Sequence, residues 1–307
     1  IALYELTRYS FRAEQRGEVA GLRRLRAFTM PDCHAFCADM AMVKEEFFKR
    51  FELAWQLQRD VGFEMPGDFE LGLRVTKEFW EEHGDLPREM VKRWGKPVLV
   101  EMWDHQFFYY AMKYEWNFVD NNEKAAALTT DQVDTESAAR YGIRYVDAEG
   151  KARHPLIMHL SPSGAVERQI YALLEKAHRE ERSGRPPMLP VWLSPVQVRY
   201  IPVTEGQLGT CLVLQQRFPH FRADVDDTSD TLAKKIRRAE KEWIPYIAVI
   251  GQREVASGRV NVRVRATREL KEMEPEGLAE RIAKESQGRP FRPLPLPHLL
   301  SKRPSFR

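Results

Sequence analysis

Between residues 38 and 58, apolar side chains recur at helical spacing: Met40, Val43, Phe47, Phe51, Ala54, Trp55 and Leu57, with Lys44, Glu45, Glu46, Lys49 and Arg50 between them. That period predicts an amphipathic helix laid on a sheet. Before it, residues 1–30 read as two strands joined by a charged loop at 13–21. After it, 69–75 reads as a strand and 77–93 as one or two exposed helices, broken at Gly84 and Pro87. Residues 97–103, 107–119 and 125–134 read as strands. A strand at 155–161 runs into a helix marked by Val166, Ile170, Leu173 and Leu174, which runs out at 178–182. Ser183-Gly184-Arg185-Pro186-Pro187 stops regular structure. Beyond it strands and helices alternate: strand 196–203, helix 206–217, strand 221–225, helix 231–243, strands 246–250 and 259–265, helix 275–286. The pattern predicts an α+β domain over 1–182, a linker at 183–190, a mixed α/β domain over 191–287, and a tail at 288–307 that is extended and mobile.

Composition narrows the class. At 307 residues, 43% hydrophobic and 30% charged, the chain has the length for two cores and the makeup of a soluble globular protein. A net charge of +3 does not by itself mark a nucleic-acid binder. The tail is more telling, with Arg289, Arg292, Lys302, Arg303 and Arg307 and no acid after Gly288. No apolar run reaches the roughly 18 residues that span a membrane, and nothing at the start of the given sequence resembles a secretory signal. Cys33, Cys37 and Cys211 cannot close a disulfide framework, which fits a reducing compartment and a cytoplasmic location. Ile1 falls in what reads as mid-strand, so the natural polypeptide is expected to begin earlier.

Candidate chemistry concentrates in residues 11–34. Arg12 and Arg24 flank a Gly-punctuated loop, and Phe28 offers a face to a purine. Arginine forks pair with phosphate oxygens two at a time, so this stretch reads as a nucleotide grip. Spacing alone nominates His34 and Cys37 as a zinc pair.

These residues carry a resemblance. Arg12-Ala13-Glu14 with Gly21, Arg24 and Phe28 resembles motif 2 of the class II aminoacyl-tRNA synthetases, and Gly164-Ala165-Val166-Glu167-Arg168 resembles their motif 3. Residues 28–37 and 192–198 resemble threonyl-tRNA synthetases, and residues 123–132 their archaeal members. The resemblance covers nearly the whole chain except the tail. It implies an antiparallel-sheet class II catalytic domain followed by an anticodon-binding domain.

What it implies for the residues is specific. Arg12 would hold the α-phosphate of ATP and the amino-acid carboxylate, and Arg168 the γ-phosphate, so that cations stand where charge builds. Glu14 would bond the adenine amino group, Phe28 would stack on the ring, and Arg24 would help from the same strand. Asp32, Tyr110, Lys113 and Gln132 would bind threonine. His34 and His159 would hold one Zn2+ per subunit together with a cysteine upstream of motif 2, leaving Cys37 a core thiol. Met30 and Ala127 depart from the bacterial pattern, which has polar side chains there. Lys234-Lys235-Ile236-Arg237-Arg238 reads as a basic helix face, and Arg259, Arg263 and Arg265 as alternating along one strand. By resemblance Glu254 and Arg263 would read anticodon bases with Arg237 nearby. Trp243 would stack or be core.

The activity implied is ATP-dependent activation of L-threonine, with Mg2+, and transfer to tRNA(Thr) by a homodimer. Serine differs from threonine by one methyl, so editing is expected somewhere; nothing in this chain resembles an editing domain, either because it was cut away or because a separate protein supplies it, and a separate or absent module is the reading preferred. Two other readings stand beside this one: another class II synthetase of prolyl or glycyl type, and a non-catalytic synthetase-like protein that binds RNA. His34 and His159 together argue against the first, and Arg12, Glu14 and Arg168 together against the second.

Overall fold

The computed structural model describes residues 1–9 and 13–304, the side chain of Tyr9 excepted. Arg12 lies outside the described residues. The chain divides into two units, Ile1–Lys176 and Ala177–Arg307.

The first unit is built on β1 (Ala2–Tyr9), β2 (Phe28–Cys37), α1 (Met40–Asp60), β3 (Phe69–Thr76), α2 (Lys77–His83), α3 (Asp85–Trp94), β4 (Leu99–Trp103), β5 (Tyr110–Val119) and β6 (Ala125–Asp134). There follow α4 (Ser137–Arg140), the hairpin β7 (Tyr145–Val146) and β8 (Ala152–Arg153), β9 (Leu156–Ser161) and the start of α5 (Val166–Arg182). Seven strands form one sheet in the order β1-β2-β9-β6-β5-β3-β4, antiparallel except between β3 and β4.

Asp39 starts α1 by accepting the Met42 N–H at 2.8 Å. The helix lays Val43, Phe47, Phe51 and Ala54 on the sheet face formed by Ala35, Cys37, Tyr114, Trp116, Met158 and Leu160. Alternate residues of the same strands point to the opposite, open face. The apolar stripe is as expected, but Arg50 and Gln58 are buried within it. Arg50, which the sequence placed among the outward charges, is 6% exposed because Asp131 is buried beneath the sheet to receive it. The opening arm also differs: β2 begins at Phe28, while Ala20 and Arg24 form a bridge around Gly21, whose φ of +48° supplies a tight turn. Arg24 therefore sits before the strand and not on it.

The second unit comprises β10 (Val198–Pro202), α6 (Leu208–Arg217), β11 (Ala223–Val225), α7 (Leu232–Lys241), β12 (Tyr246–Ile250), α8 (Gln252–Ser257), β13 (Val260–Val264), β14 (Leu270–Met273) and α9 (Pro275–Glu285). Its sheet runs β11-β10-β12-β13-β14, parallel over the first three strands and antiparallel over the rest. Alternation splits its core, with Val198, Tyr200 and Ala248 in one cluster and Ile201, Ile247 and Ala239 in the other. The tail, described to residue 304, is tied down at residues 298–303. Val225 donates to His298 O at 2.8 Å, Leu299 bridges Val225, and Arg303 reaches Asp224 at 2.9 Å. Residues 298–299 are held, contrary to the expectation of a mobile tail, because β11 leaves an edge that they complete; Arg307 lies outside the described residues.

Candidate active site

The strand registers align one transverse row across the first sheet. Leu3 on β1 pairs His34 on β2, His34 pairs His159 on β9, His159 pairs Gln132 on β6, Gln132 pairs Lys113 on β5, Lys113 pairs Arg74 on β3, and Arg74 pairs Glu101 on β4. Paired residues share a face, so these side chains all stand on the open one.

At the centre the Nδ1 atoms of His34 and His159 face each other at 3.0 Å. His159 turns Nε2 to Asp134 Oδ2 at 2.8 Å, while Asp134 Oδ1 accepts the N–H groups of Glu136 and Ser137. Burial pushes the Asp134 carboxyl up, but the bonds from His159 and Ser137 outweigh it and hold it below the usual range. Burial, and after it His159, pushes the His34 imidazole below its ordinary value, which favours the neutral ring that metals bind. Nitrogen ligands on one tetrahedral ion lie roughly 3–4 Å apart, from bonds of about 2.0–2.1 Å, so the pair fits one zinc ion. Among the described residues no third His, Cys, Asp or Glu joins the two in a ligand group. Cys37 is 1% exposed in the core under the sheet. Three residues along a strand from His34, it faces the other side, so the pair nominated by spacing cannot share a metal.

Asp32 accepts a hydrogen bond from Ser161 Oγ beside the histidines. Further along the row, Lys113 meets Glu115 at 2.7 Å, and Arg74 joins Glu115 at 3.2 Å to Glu101 at 2.8 Å. Tyr110 is 6% exposed, stacked on Phe108 with the Lys113 ammonium 5.8 Å from its ring centre. Asp134, Ser161 and Glu115 had escaped the sequence reading. Each lies two residues from a nominated residue on the same strand, Gln132, His159 or Lys113, and period-2 geometry could have found it.

Beside Asp32 on the same face, Phe28, Met30, Ala127, Leu128, Thr130, Gly164 and Arg168 line a cavity of about 180 Å³ with the 22–25 turn. Met30 and Ala127, the two departures from the bacterial pattern, both line it. Arg168 donates from Nε to Arg23 O at 3.1 Å and from Nη1 to Ala127 O at 2.8 Å. Glu14, whose side chain is 1% exposed, accepts from Arg24 at 2.9 Å. Glu167 clamps the start of β2, taking the Thr29 N–H at 2.9 Å and hydroxyl at 3.0 Å. Its place beside Arg168 was the only signal of that role.

In the second unit the basic helix face does not form as expected. Lys235 is 6% exposed, Arg238 pairs with Asp226 and Asp230, and Lys234 with Asp230, leaving Arg237 outward on α7. Helix geometry turns positions 235 and 238 toward the sheet, where Asp226 waits. On β13, Arg263 stands 3.6 Å from Glu240, whereas Arg259 is held by Glu272 and Glu274 and Arg265 by two backbone carbonyls. Glu254 bonds the Gly251 N–H at 2.9 Å at the start of α8. Trp243 is half-buried with a φ of +55°.

Residues 1–177 match the family model of the tRNA synthetase class II core domain (G, H, P, S and T), and residues 197–285 that of the anticodon binding domain. The chain belongs to the class II tRNA synthetases. Within them it is similar to threonine–tRNA ligases. It is 52% identical to that of Pyrococcus horikoshii, matching 100% of this chain and 49% of the relative, and 52% identical to that of Cenarchaeum symbiosum, matching 98% and 49%. The crystal structure of the RNA binding domain of threonyl-tRNA synthetase from Cryptosporidium parvum superposes with a TM-score of 0.76 at 25% identity, covering 93% of this chain and 70% of that one. The chain spans about half the length of the curated relatives it matches. Among the described residues no helix is long and apolar enough to cross a membrane.

Proposed function

We propose that this chain carries the catalytic and anticodon-reading parts of an enzyme that activates L-threonine with ATP and transfers it to tRNA(Thr). The observation that carries the reading is the row itself, because His34, His159, Gln132 and Lys113 stand side by side on the open face with Asp32 adjoining. Activation requires the threonine carboxylate to attack the α-phosphorus of ATP while pyrophosphate leaves with Mg2+. Phe28 in the cavity wall would stack on adenine, Glu14 held by Arg24 would take the amino group, Arg168 would hold the γ-phosphate, and Arg12 the α-phosphate. Fixed cations at those oxygens stabilise the charge that develops.

His34 and His159 would hold Zn2+, one per subunit, with a cysteine outside residues 1–307 as third ligand. Bound there, the ion would supply a Lewis acid for the polar groups of threonine, and with them a distinction from valine that an apolar pocket cannot make strongly. Asp32 would accept the hydroxyl's hydrogen bond, with Tyr110, Lys113 and Gln132 closing the pocket. Arg237, Glu254 and Arg263 would contact the anticodon, whose single-stranded bases are open to side-chain forks. Residues 1–182 would form the catalytic part, 183–190 the linker, 191–287 the anticodon-binding part and 288–307 the basic tail, in a cytoplasmic homodimer served by an editing protein in trans. Release of serine from Ser-tRNA by the polypeptide alone would count against that editing arrangement.

The test is threonine-dependent exchange of pyrophosphate into ATP by the full-length protein, with valine and serine as comparisons. Exchange with threonine far above valine is expected. No exchange with any amino acid would sink the reading.

A further inference from the structure

The row next to the site faces the other way. Cys33 on β2, Leu160 on β9, Asp131 on β6 and Tyr114 on β5 are paired in register and point down toward α1. Arg50 of α1 reaches across this row. It donates from Nε to Asp131 Oδ2 at 3.0 Å, from Nη2 to Asp131 Oδ1 at 3.1 Å, and from Nη2 to Cys33 O at 2.8 Å. Cys33 lies between Asp32 and His34, and Asp131 precedes Gln132, whose N–H also bonds Asp131 Oδ1 at 3.0 Å. One guanidinium therefore ties β2 to β6 beneath β9, directly under the residues that would choose the amino acid.

Stability alone does not call for this arrangement. The side chains of Arg50 and Asp131 are 7% and 0% exposed, amid Phe47, Phe51, Met158 and Leu160. Removing both charges from water is costly, and apolar residues of similar volume often serve a core as well. What an apolar pair lacks is direction: a planar fork fixes the distance and angle between the two strands it grips. The Tyr114 hydroxyl, buried close enough to feel both charges, has no hydrogen-bond partner among the described residues, so it shares none of that work.

We infer that Arg50 and Asp131 are positioning residues that set β2 and β6 about β9, and thereby align Asp32, His34, His159 and Gln132 on the amino acid. This rests on the threonine reading above. In the full-length protein, Arg50→Lys keeps the charge but cannot grip both strands, and Asp131→Asn keeps the volume but loses the ion pair. For both, the KM for threonine should rise about tenfold to a hundredfold, the scale of a misplacement near 1 Å. The KM for ATP should rise less than that for threonine, because the cavity, although Met30 of β2 and Thr130 of β6 wall part of it, also rests on Gly164 and Arg168, which Arg50 does not hold, and zinc retained after dialysis should fall. Arg50→Met with Asp131→Leu covers the case in which a single variant fails to fold, and should melt near wild type while showing the same greater loss for threonine. Folded variants with wild-type threonine KM and zinc content, or with equal losses for threonine and ATP, would overturn the inference. Wild-type protein inactive with threonine would overturn the functional reading and this inference together, a failure told apart because it occurs before any substitution.

Discussion

His34 and His159 present their Nδ1 atoms to each other at 3.0 Å, and Asp134 holds the far nitrogen of His159 at 2.8 Å. A ring that donates its Nε2 proton to a carboxylate keeps a lone pair on Nδ1, so Asp134 selects the tautomer in which His159 can bind a cation. Asp134→Asn would present an amide N–H to Nε2, with the other oxygen still held by Glu136 and Ser137. The His159 proton would then move to Nδ1. Zinc affinity of the full-length protein, measured by competition with a chelator, should fall about tenfold to a hundredfold. Equal affinity in the two proteins would show that Asp134 does not orient the ring.

Gly164 lines the cavity proposed for ATP with a φ of +65°, and a Cβ there would come within 2.2 Å of Leu128 O. The left-handed conformation alone costs a side chain about 1–2 kcal/mol, and the backbone oxygen of β6 cannot yield without moving the cavity wall. Gly164→Ala should lower the melting temperature and raise the KM for ATP more than that for threonine. A variant that melts with wild type would place the flexibility of this turn above its apparent tightness.

Glu167 carries a pH dependence. Burial raises its carboxyl, but the bonds from Thr29 prevail and hold it below its ordinary value. A depressed native pKa adds stability that is complete above the unfolded value and is lost as pH falls through the native one. Glu167→Gln keeps one acceptor and loses the other. Its stability deficit against wild type should be greatest at neutral pH and narrow as the carboxylate range, about pH 4, is crossed. Denaturation at a series of pH values decides the matter, since a deficit that grows with acidity would contradict the clamp.

Cys211 is fully buried, and burial pushes its thiol up to about 12. Reaction requires thiolate, so native protein near pH 8 should leave Cys211 unmodified by iodoacetamide, and denaturant should expose it. Peptide mapping identifies the residue. Rapid native labelling of Cys211 would mean that α6 opens readily from β10.

The α1 stripe and the principal strands were legible because burial imposes periods of 3.6 and 2 on local sequence. Arg50 and Gln58 were not, since periodicity says which positions face inward but not which will find a buried polar partner there. Gln58 finds Thr129 and Gln169, far away in sequence. Short elements such as the β7–β8 hairpin, α8 and β14 hold too few residues for a period to emerge. In the site, His34 and Cys37 looked like a pair until strand parity separated them. His34, His159, Gln132 and Lys113 came together only through registers spanning β2 to β5, which no local window contains.

Arg303 provides the sharpest test of the tail. Asp224 is fully buried and already accepts two bonds from Arg199 at 2.8 Å, while Arg199 also meets Glu242 at 2.6 Å. Arg303, 15% exposed, adds a second cation at 2.9 Å and bonds Pro297 O through Nε at 2.9 Å. Ser301 secures the same segment by donating its N–H to Asp227 at 2.9 Å. If the tail is part of the fold, Arg303→Ala should destabilise the second unit by about 1–3 kcal/mol, the cost of a lost charged hydrogen bond, because Asp224 keeps Arg199. Arg199→Ala should cost more, about 3–5 kcal/mol, because it breaks the central buried pair, taking two of the bonds that Asp224 accepts and leaving it Arg303 alone. Hydrogen exchange at β11 reads both, since Val225 N–H is bonded to His298 O. Faster exchange at Val225 in each variant, in that order, is expected. An unchanged rate in Arg303→Ala would mean that the tail merely lies along the edge of β11 and that its arginine is dispensable to the sheet.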